Sequence, residues 1–457
     1  MMERFFVKDK SFYRWLLTLA VPTSLQALVM FGVNVTDSVM VGGLGEASIA
    51  GVAIANQFSF LYLITCFGIG GGMGVLTAQF WGKQDTDAIN AGLSIILKIA
   101  TAFGMVFFLL SLFIPDRIMG IYTVDADVIR EGASYMRILS FSYLCMGLST
   151  MVISTLRSVG VVKLGLLTNC IALLLNVLLN WIFIYGNLGA PRMGAAGAAL
   201  ATLVCRIVEI LIIALYLMRS DERLRFQPHM LLRWDSGIFH NYLKNGVPVI
   251  VSDVLLGIGG NMLSVVLGRM GAAVMSASAI ANVIYQLTAV FLMGVSGASG
   301  VITGNTVGAG EVEKTKAYSK TFLSMSFLVS IASIICIQLV RGFAFQFYDI
   351  TPETHQIANE LLDTLSVLTI FMTTGQILTK GILRAGGDTK FLMIADVLFL
   401  WLVSVPLGFV AGLVLHWPPF VVYFCLRIDE VIKSVWCLRR FFSWKWIRDV
   451  AIREPAP

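Results

Sequence analysis

Predominantly apolar runs of twenty or more residues recur along the chain, separated by short segments that collect most of its charge. Each run is long enough to cross a hydrocarbon layer of about 30 Å as an α-helix. The pattern predicts twelve spanning helices over roughly 14–38, 48–76, 90–114, 130–155, 163–186, 194–218, 244–268, 276–304, 317–341, 355–380, 391–415 and 419–438. The longest polar stretch, 219–240, falls between the sixth and seventh runs and carries Arg219, Asp221, Glu222, Arg223, Arg225, Arg233 and Asp235. The expected organisation is a first lobe over 1–218, a linker over 219–243, a second lobe over 244–438 and a basic, aromatic tail over 439–457.

The two expected lobes are copies of one unit. Residues 21–87 return without a gap at 247–313, an offset of 226. Val21-Pro22 becomes Val247-Pro248, Ala53-Ile54-Ala55-Asn56 becomes Ala279-Ile280-Ala281-Asn282, and Gly68, Gly71, Gly74 and Gly82 become Gly294, Gly297, Gly300 and Gly308. Farther on, Leu156-Arg157 matches Leu383-Arg384, and Arg206-Ile207 with Glu209 matches Arg427-Ile428 with Glu430. Six spans per copy return the chain to its starting side, so the repeats are parallel. The expected fold is an all-α integral membrane protein with twelve transmembrane helices in two pseudo-symmetric six-helix bundles.

Composition and charge agree with this picture and orient it. The chain is 57% hydrophobic and 13% charged, with mean hydropathy +0.83, whereas soluble domains carry about 25% charged residues. With both termini placed inside, 24 of the 33 Lys and Arg residues fall on the inner side and six on the outer. Such a bias predicts cytoplasmic termini in an inner or plasma membrane. The net charge of +6 is therefore a topology signal, and no nucleic-acid partner is expected. Residues 1–14 lead into a full span without a small-residue cleavage site, so a removable signal peptide is not expected. The seven cysteines show no CxxC pair and read as buried thiols, and four scattered histidines offer no metal-ligand spacing. The tail 438–453, which alternates aromatic and basic residues, is expected to lie along the inner membrane interface.

Ionisable residues inside a span cost about 2.5–3.5 kcal/mol on insertion scales, so each is a candidate for function. Asp37 lies near the outer end of the first span, with Asn34 one turn before it and Gln26 three turns before it on a similar face. Asn176 and Asn180, spaced i, i+4, share a face of the fifth span. Thr202 follows Ala198 in a small-residue run suited to close helix contact. If these spans converge, a carboxylate, two amide carbonyls and a hydroxyl form an oxygen cage suited to a hard cation. The same carboxylate could instead hold a proton, or the amides could simply bond neighbouring helices. Asp253 and Asp396 form a possible second polar site, an ion site or a proton relay. The repeated i, i+3 spacing predicts ion pairs Arg206–Glu209 and Arg427–Glu430, and Asp388 reads as a turn and capping residue. Pro22 and Pro248 read equally as hinges or as helix-start prolines.

Several functions find no support in the residues. The glycines at 68, 70, 71, 72 and 74 follow no strand and precede no Gly-Lys-Ser/Thr, so no phosphate loop is read and ATP hydrolysis is not expected. Neither a DDxxD cluster nor a His-Glu metal motif is present, and no short pore-filter loop is visible. No enzyme activity and no cofactor are expected.

In this order the motifs resemble the MATE (multidrug and toxic compound extrusion) transporters. They are Pro22, Asp37, Val41-Gly42-Gly43-Leu44-Gly45, Ala78-Gln79-x-x-Gly82, Asn176-x-x-x-Asn180, Gly197-Ala-Ala-Leu-Ala-Thr202 and Leu383-Arg-Ala-Gly-Gly-Asp-Thr-Lys390. The resemblance covers essentially the whole chain. It implies a V-shaped pair of bundles that rock to export organic, often cationic, compounds in exchange for Na⁺ or H⁺. It places the cation site on Asp37, Asn176, Asn180 and Thr202, with Gln26, Met30 and Asn34 lining the substrate cleft. Two departures are visible: some members carry an aspartate where Asn180 stands, and the second-lobe glutamate of others is Leu256 here. Expected partners are small organic substrates and membrane lipids, and the expected state is a monomer. The alternative within the same superfamily, a flippase for lipid-linked saccharides, would need several cleft Lys or Arg. Only Lys98, Arg206 and Arg427 fall deep inside predicted spans.

Overall fold

The computed structural model describes residues 6–345 and 350–452; residues 1–5 and 453–457, which the expected first lobe and tail include, lie outside it. The described chain contains helices and no strand, as a hydrocarbon environment demands of a segment that must satisfy its own backbone. In the first half the helices are α1 (Lys10–Gly42), α2 (Glu46–Gly82), α3 (Thr86–Phe113), the short α4 (Pro115–Tyr122), α5 (Ala126–Ser158), α6 (Lys163–Tyr185) and α7 (Ala195–Arg219). In the second they are α8 (Ser236–Arg269), α9 (Ala272–Gly308), α10 (Val312–Ala344), α11 (Pro352–Gln376), α12 (Thr389–Phe399), α13 (Val405–Phe409), α14 (Pro419–Cys425) and α15 (Ile428–Phe442). A π-helical segment, Ile377–Leu383, prolongs α11, and π turns at Leu400–Ser404 and Val410–Val414 extend α12 and α13 as one rod. The duplication persists in the lengths: α2 and α9 both run for 37 residues.

Among the described residues, eleven helices are long and apolar enough to span a membrane. The twelfth predicted span, 419–438, is split at Leu426-Arg427 into α14 and α15. Ser404 accounts for the restart: its hydroxyl accepts from the Asp429 backbone N–H and donates to the Asp429 carboxylate, both at 2.8 Å. That contact satisfies one of the orphan donors of a new helix N-terminus. The protein is an all-α membrane protein with twelve transmembrane helices in two pseudo-symmetric bundles, the last helix interrupted. Pro22 and Pro248 lie inside α1 and α8, which excludes the helix-start reading for both.

Two compact units can be drawn. One comprises Leu25–Thr77 and Asp85–His240; the other comprises the chain up to Ser24, Ala78–Gln84 and Asn241–Ile452. In the first, Val41, Val52, Met119, Met136, Ile184 and Ala199 form a core shared by α1, α2, α4, α5, α6 and α7. The linker is part of this unit and is tied down. The Asn90 amide donates to the Leu224 carbonyl at 2.8 Å, and Arg223 donates to the Val159 carbonyl at 2.5 Å.

In the second unit the end of α2 crosses the end of α9 at repeat-equivalent positions. A Cβ on Gly82 would collide with the Asn305 carbonyl, and one on Gly308 with the Gln79 carbonyl. The repeated glycines therefore let the two backbones touch. The tail departs from expectation here. Phe441 and Trp446 are fully buried, and the Trp446 indole donates to the Phe441 carbonyl at 2.9 Å. Residues 446–452 form a strap over the protein and do not present these rings to headgroups. The Arg448 backbone N–H donates to the Gly386 carbonyl (2.8 Å), the Val450 N–H to the Gln79 side chain (2.8 Å), and Lys83 to Asp449 (2.7 Å). Phe441 and Trp446 serve as packing surface, while Phe442 stays exposed. Asp388 is buried beneath the strap, with Arg440 at 2.6 Å and Arg448 at 3.1 Å. It is an ion-pair hub, and its side chain makes no cap hydrogen bond to α12.

Candidate functional site

The first unit brings three of the predicted residues together. Asn176 and Asn180 are buried on one face of α6, one turn apart. The Asn180 Nδ2 donates to Asp37 Oδ1 at 2.6 Å and to Asn176 Oδ1 at 3.1 Å. The packing that makes this meeting possible is local. A Cβ on Gly197 would press on the Phe183 backbone, so α7 starts hard against α6. The Tyr185 hydroxyl donates to the Met40 carbonyl at 3.0 Å, pinning the end of α6 to α1 just beyond Asp37.

Two features make the cluster chemically open. With its nitrogen spent on Asp37 and Asn176, Asn180 keeps a buried Oδ1 that meets no donor among the described residues. A buried polar atom left unpaired costs about 1–3 kcal/mol. The second feature is electrostatic. Arg206 on α7 pairs with buried Glu209 at 2.7 Å, as the i, i+3 spacing predicts. Its guanidinium also lies within electrostatic reach of Asp37. Glu209 takes the direct contact with Arg206, and among the described residues no base is in ion-pair contact with Asp37. Oxygen atoms of Asp37, Asn176 and Asn180 lie together there, and carboxylate and amide oxygens are the ligand type that hard cations take.

The remaining predicted residues divide. The Thr202 hydroxyl donates back to the Ala198 carbonyl at 3.0 Å, so it offers the site only lone pairs. Met30 and Asn34 are exposed on α1. Gln26 is buried, and its Oε1 accepts from Arg157 at 3.2 Å. Tyr135 on α5 is a residue that sequence reasoning misses: it is buried within electrostatic reach of Asp37 and donates to Asn56 Oδ1 at 3.3 Å. A lone tyrosine in an apolar helix carries no spacing signal that would single it out.

Asp253 and Asp396 occupy a different setting in the second unit. Asp253 is clasped by Lys380 and by Arg384, the latter at 2.9 Å. Asp396 accepts from the Ser252 hydroxyl at 2.6 Å and faces Lys433 at 3.5 Å. Glu430 pairs forward with Lys433 at 3.1 Å, not back with Arg427 as its spacing suggested. The break between α14 and α15 explains the change: Arg427 caps the restarted helix and lies over the Tyr423 ring, 5.1 Å from its centroid. Among the described residues no group of three His, Cys, Asp or Glu is placed to hold a metal ion.

The MatE family pattern matches this chain twice, over residues 22–182 and 248–410, one match in each repeat. The chain belongs to the MATE family of multidrug efflux transporters. Among its relatives is the probable multidrug resistance protein YoeA of Bacillus subtilis (strain 168), 24% identical over 372 residues and covering 80% of each chain. The multidrug resistance protein NorM of Vibrio vulnificus (strain YJ016) is 25% identical over 413 residues, covering 87% of each. Solved MATE structures share the fold. A crystal structure of MATE in complex with MaL6 superimposes with TM-score 0.85 at 20% identity, covering 94% of this chain and 97% of that one. An outward-facing multidrug resistance MATE transporter of the MOP superfamily gives 0.83 at 21% identity, covering 96% and 99%. The two-fold MATE match and the two-fold sequence repeat coincide at Pro22 and Pro248.

Proposed function

We propose that this MATE protein is a cation-coupled antiporter that exports small organic, often cationic, compounds in exchange for Na⁺ or H⁺. The observation that carries the reading is the Asp37 carboxyl, held by an amide and by no base among the described residues, beside the orphaned Asn180 oxygen. A monovalent cation supplies what both lack. Rotation of the Asn180 amide about its Cβ–Cγ bond would exchange its nitrogen for that oxygen, turning a donor to Asp37 into a ligand beside it. Cation and substrate then act in opposition through α1, because the cation draws α6 and α7 onto Asp37 while the exposed Met30 and Asn34 lie on the same helix. A ligand shifts a conformational equilibrium only by its differential affinity for the two states, and here the cation's preference is set by whether the cage is closed. The protein carries out transport without chemical conversion of its cargo, needs no cofactor, works as a monomer, and sits with both termini in the cytoplasm. The names of its relatives, multidrug resistance proteins, support this substrate class.

The test is efflux from proteoliposomes under an imposed Na⁺ gradient or pH gradient. Asp37→Asn is expected to abolish gradient-driven efflux, and unchanged coupled efflux in that variant would overturn the proposal. The flippase alternative gains nothing from the second unit. Lys380, Arg384 and Lys433 are buried or half-buried there, but each already holds a carboxylate and none is free for a diphosphate.

A further inference from the structure

The first unit contains a groove that the transport reading does not use. It has a volume of about 740 Å³ and runs between α3, α5 and α7, closed at one end by the linker. Its walls are apolar, among them Leu97, Met105, Val152, Ala214 and Met218, with Leu231 from the linker at the closed end. Met105 and Met218 are exposed at its sides, so it opens laterally. Among its lining residues Lys98 alone is charged. The Lys98 ammonium donates to the Arg233 carbonyl at 2.9 Å and lies 5.4 Å from the centre of the Trp234 ring. The linker is fixed in place there, since the Ser94 hydroxyl lies 2.8 Å from the carbonyls of both Leu231 and Arg233.

We propose that this groove is a binding site for an anionic phospholipid, with an acyl chain along the apolar walls and the headgroup phosphate on Lys98. The shape and charge select that occupant. An organic cation, the proposed cargo, meets a fixed charge of its own sign at the linker end. A neutral lipid fills the walls but leaves the ammonium without an anion. An anionic lipid satisfies both, and a polar-ended tryptophan such as Trp234 belongs at headgroup depth. Lys98 has spare donors for the phosphate, because only one of its three N–H groups is used in a hydrogen bond. The linker sets Arg219, Arg223, Arg225 and Arg233 against Asp221, Glu222 and Asp235, a balance that stays positive towards a negatively charged leaflet.

Trp234 provides the readout. The folded full-length protein is placed in phosphatidylcholine nanodiscs doped with brominated phosphatidylglycerol or brominated phosphatidylcholine. The Trp234 signal is isolated by subtracting the spectrum of Trp234→Phe. Quenching is expected to require about fivefold less brominated phosphatidylglycerol than brominated phosphatidylcholine, the preference one lysine confers near a charged headgroup. Lys98→Gln should bring the two lipids to parity, Lys98→Arg should keep the preference, and Ala214→Phe, which fills the groove, should weaken quenching by both. Equal quenching by the two lipids in the wild type would overturn the proposal. So would a preference that survives Lys98→Gln, or quenching that Ala214→Phe leaves intact. Inorganic phosphate added to the same samples distinguishes lipid from free anion: relief of quenching at millimolar phosphate would show a simple anion site and contradict the lipid assignment.

Discussion

Both units bury carboxylates in a membrane-embedded helix bundle, but they neutralise them differently. In the first, Glu209 pairs with Arg206, Asp37 is held by the Asn180 amide, and among the described residues one oxygen of Asn180 is left without a partner. In the second, Asp253, Asp396 and Glu430 are met by Lys380, Arg384 and Lys433. Asp253 thus faces two bases of the chain itself and Lys433 serves both Asp396 and Glu430, whereas Asp37 is held by an amide. The π-helical segment Ile377–Leu383 contributes to the difference, because its wider turn sets the register at which Lys380 and Arg384 both reach Asp253. The repeat of the scaffold is thus compatible with two electrostatic roles: a built-in ion network that holds a bundle together, and an incomplete one that responds to solution ions.

Substitutions separate the two networks. The largest expected effect is that of Asp37→Asn, which removes the carboxyl group. Gradient-driven efflux should fall to the level of empty liposomes while the thermal midpoint of the purified protein stays the same or rises. Asp253→Asn should do the opposite. It leaves Lys380 and Arg384 facing each other without an anion, at a cost of about 3–5 kcal/mol, so the thermal midpoint should drop sharply while the protein that remains folded keeps its cation coupling. Loss of coupling without loss of stability in Asp253→Asn would merge the two regions into one mechanism. Asp388→Asn should cost about 1.5–3 kcal/mol, the range for hydrogen bonds to charged groups. It should also release the strap, seen as faster proteolysis within 446–452. Asn180→Asp adds the second carboxylate that some family members carry, and should tighten cation binding by about tenfold, or ~1.4 kcal/mol. Thr202→Val should have the smallest effect, within about threefold in cation affinity (~0.7 kcal/mol), because its hydroxyl already donates to Ala198.

Much of this is legible in the sequence, for identifiable reasons. Span lengths and the 226-residue repeat read out directly because hydrocarbon thickness and helix rise leave little freedom. Asp37, Asn176 and Asn180 are legible because a polar group in a span is costly enough to stand out, and helical spacing puts the two amides on one face. The ion pair Arg206–Glu209 follows from the same spacing. Its repeat partner fails because Ser404 stops the last helix at Arg427, through a contact 25 residues apart in sequence. The tail fails for a related reason. Its aromatic-basic pattern suits a membrane interface equally well, and only the fold shows Gly386 and Asp388 beneath Trp446 and Arg448. Sequence alone puts Lys380 on the inner edge of its span, because its place in the ion network depends on Asp253, 127 positions away. Tyr135 and the Lys98 groove depend likewise on which helices meet.

The central claim is that the first unit alone carries an exchangeable cation. The most direct test counts cations bound per protein, by ²²Na⁺ or by proton release, in the wild type, Asp37→Asn and Asp253→Asn side by side. One cation is expected for the wild type, none for Asp37→Asn, and one for Asp253→Asn. A cation retained by Asp37→Asn, or lost from folded Asp253→Asn, would contradict it.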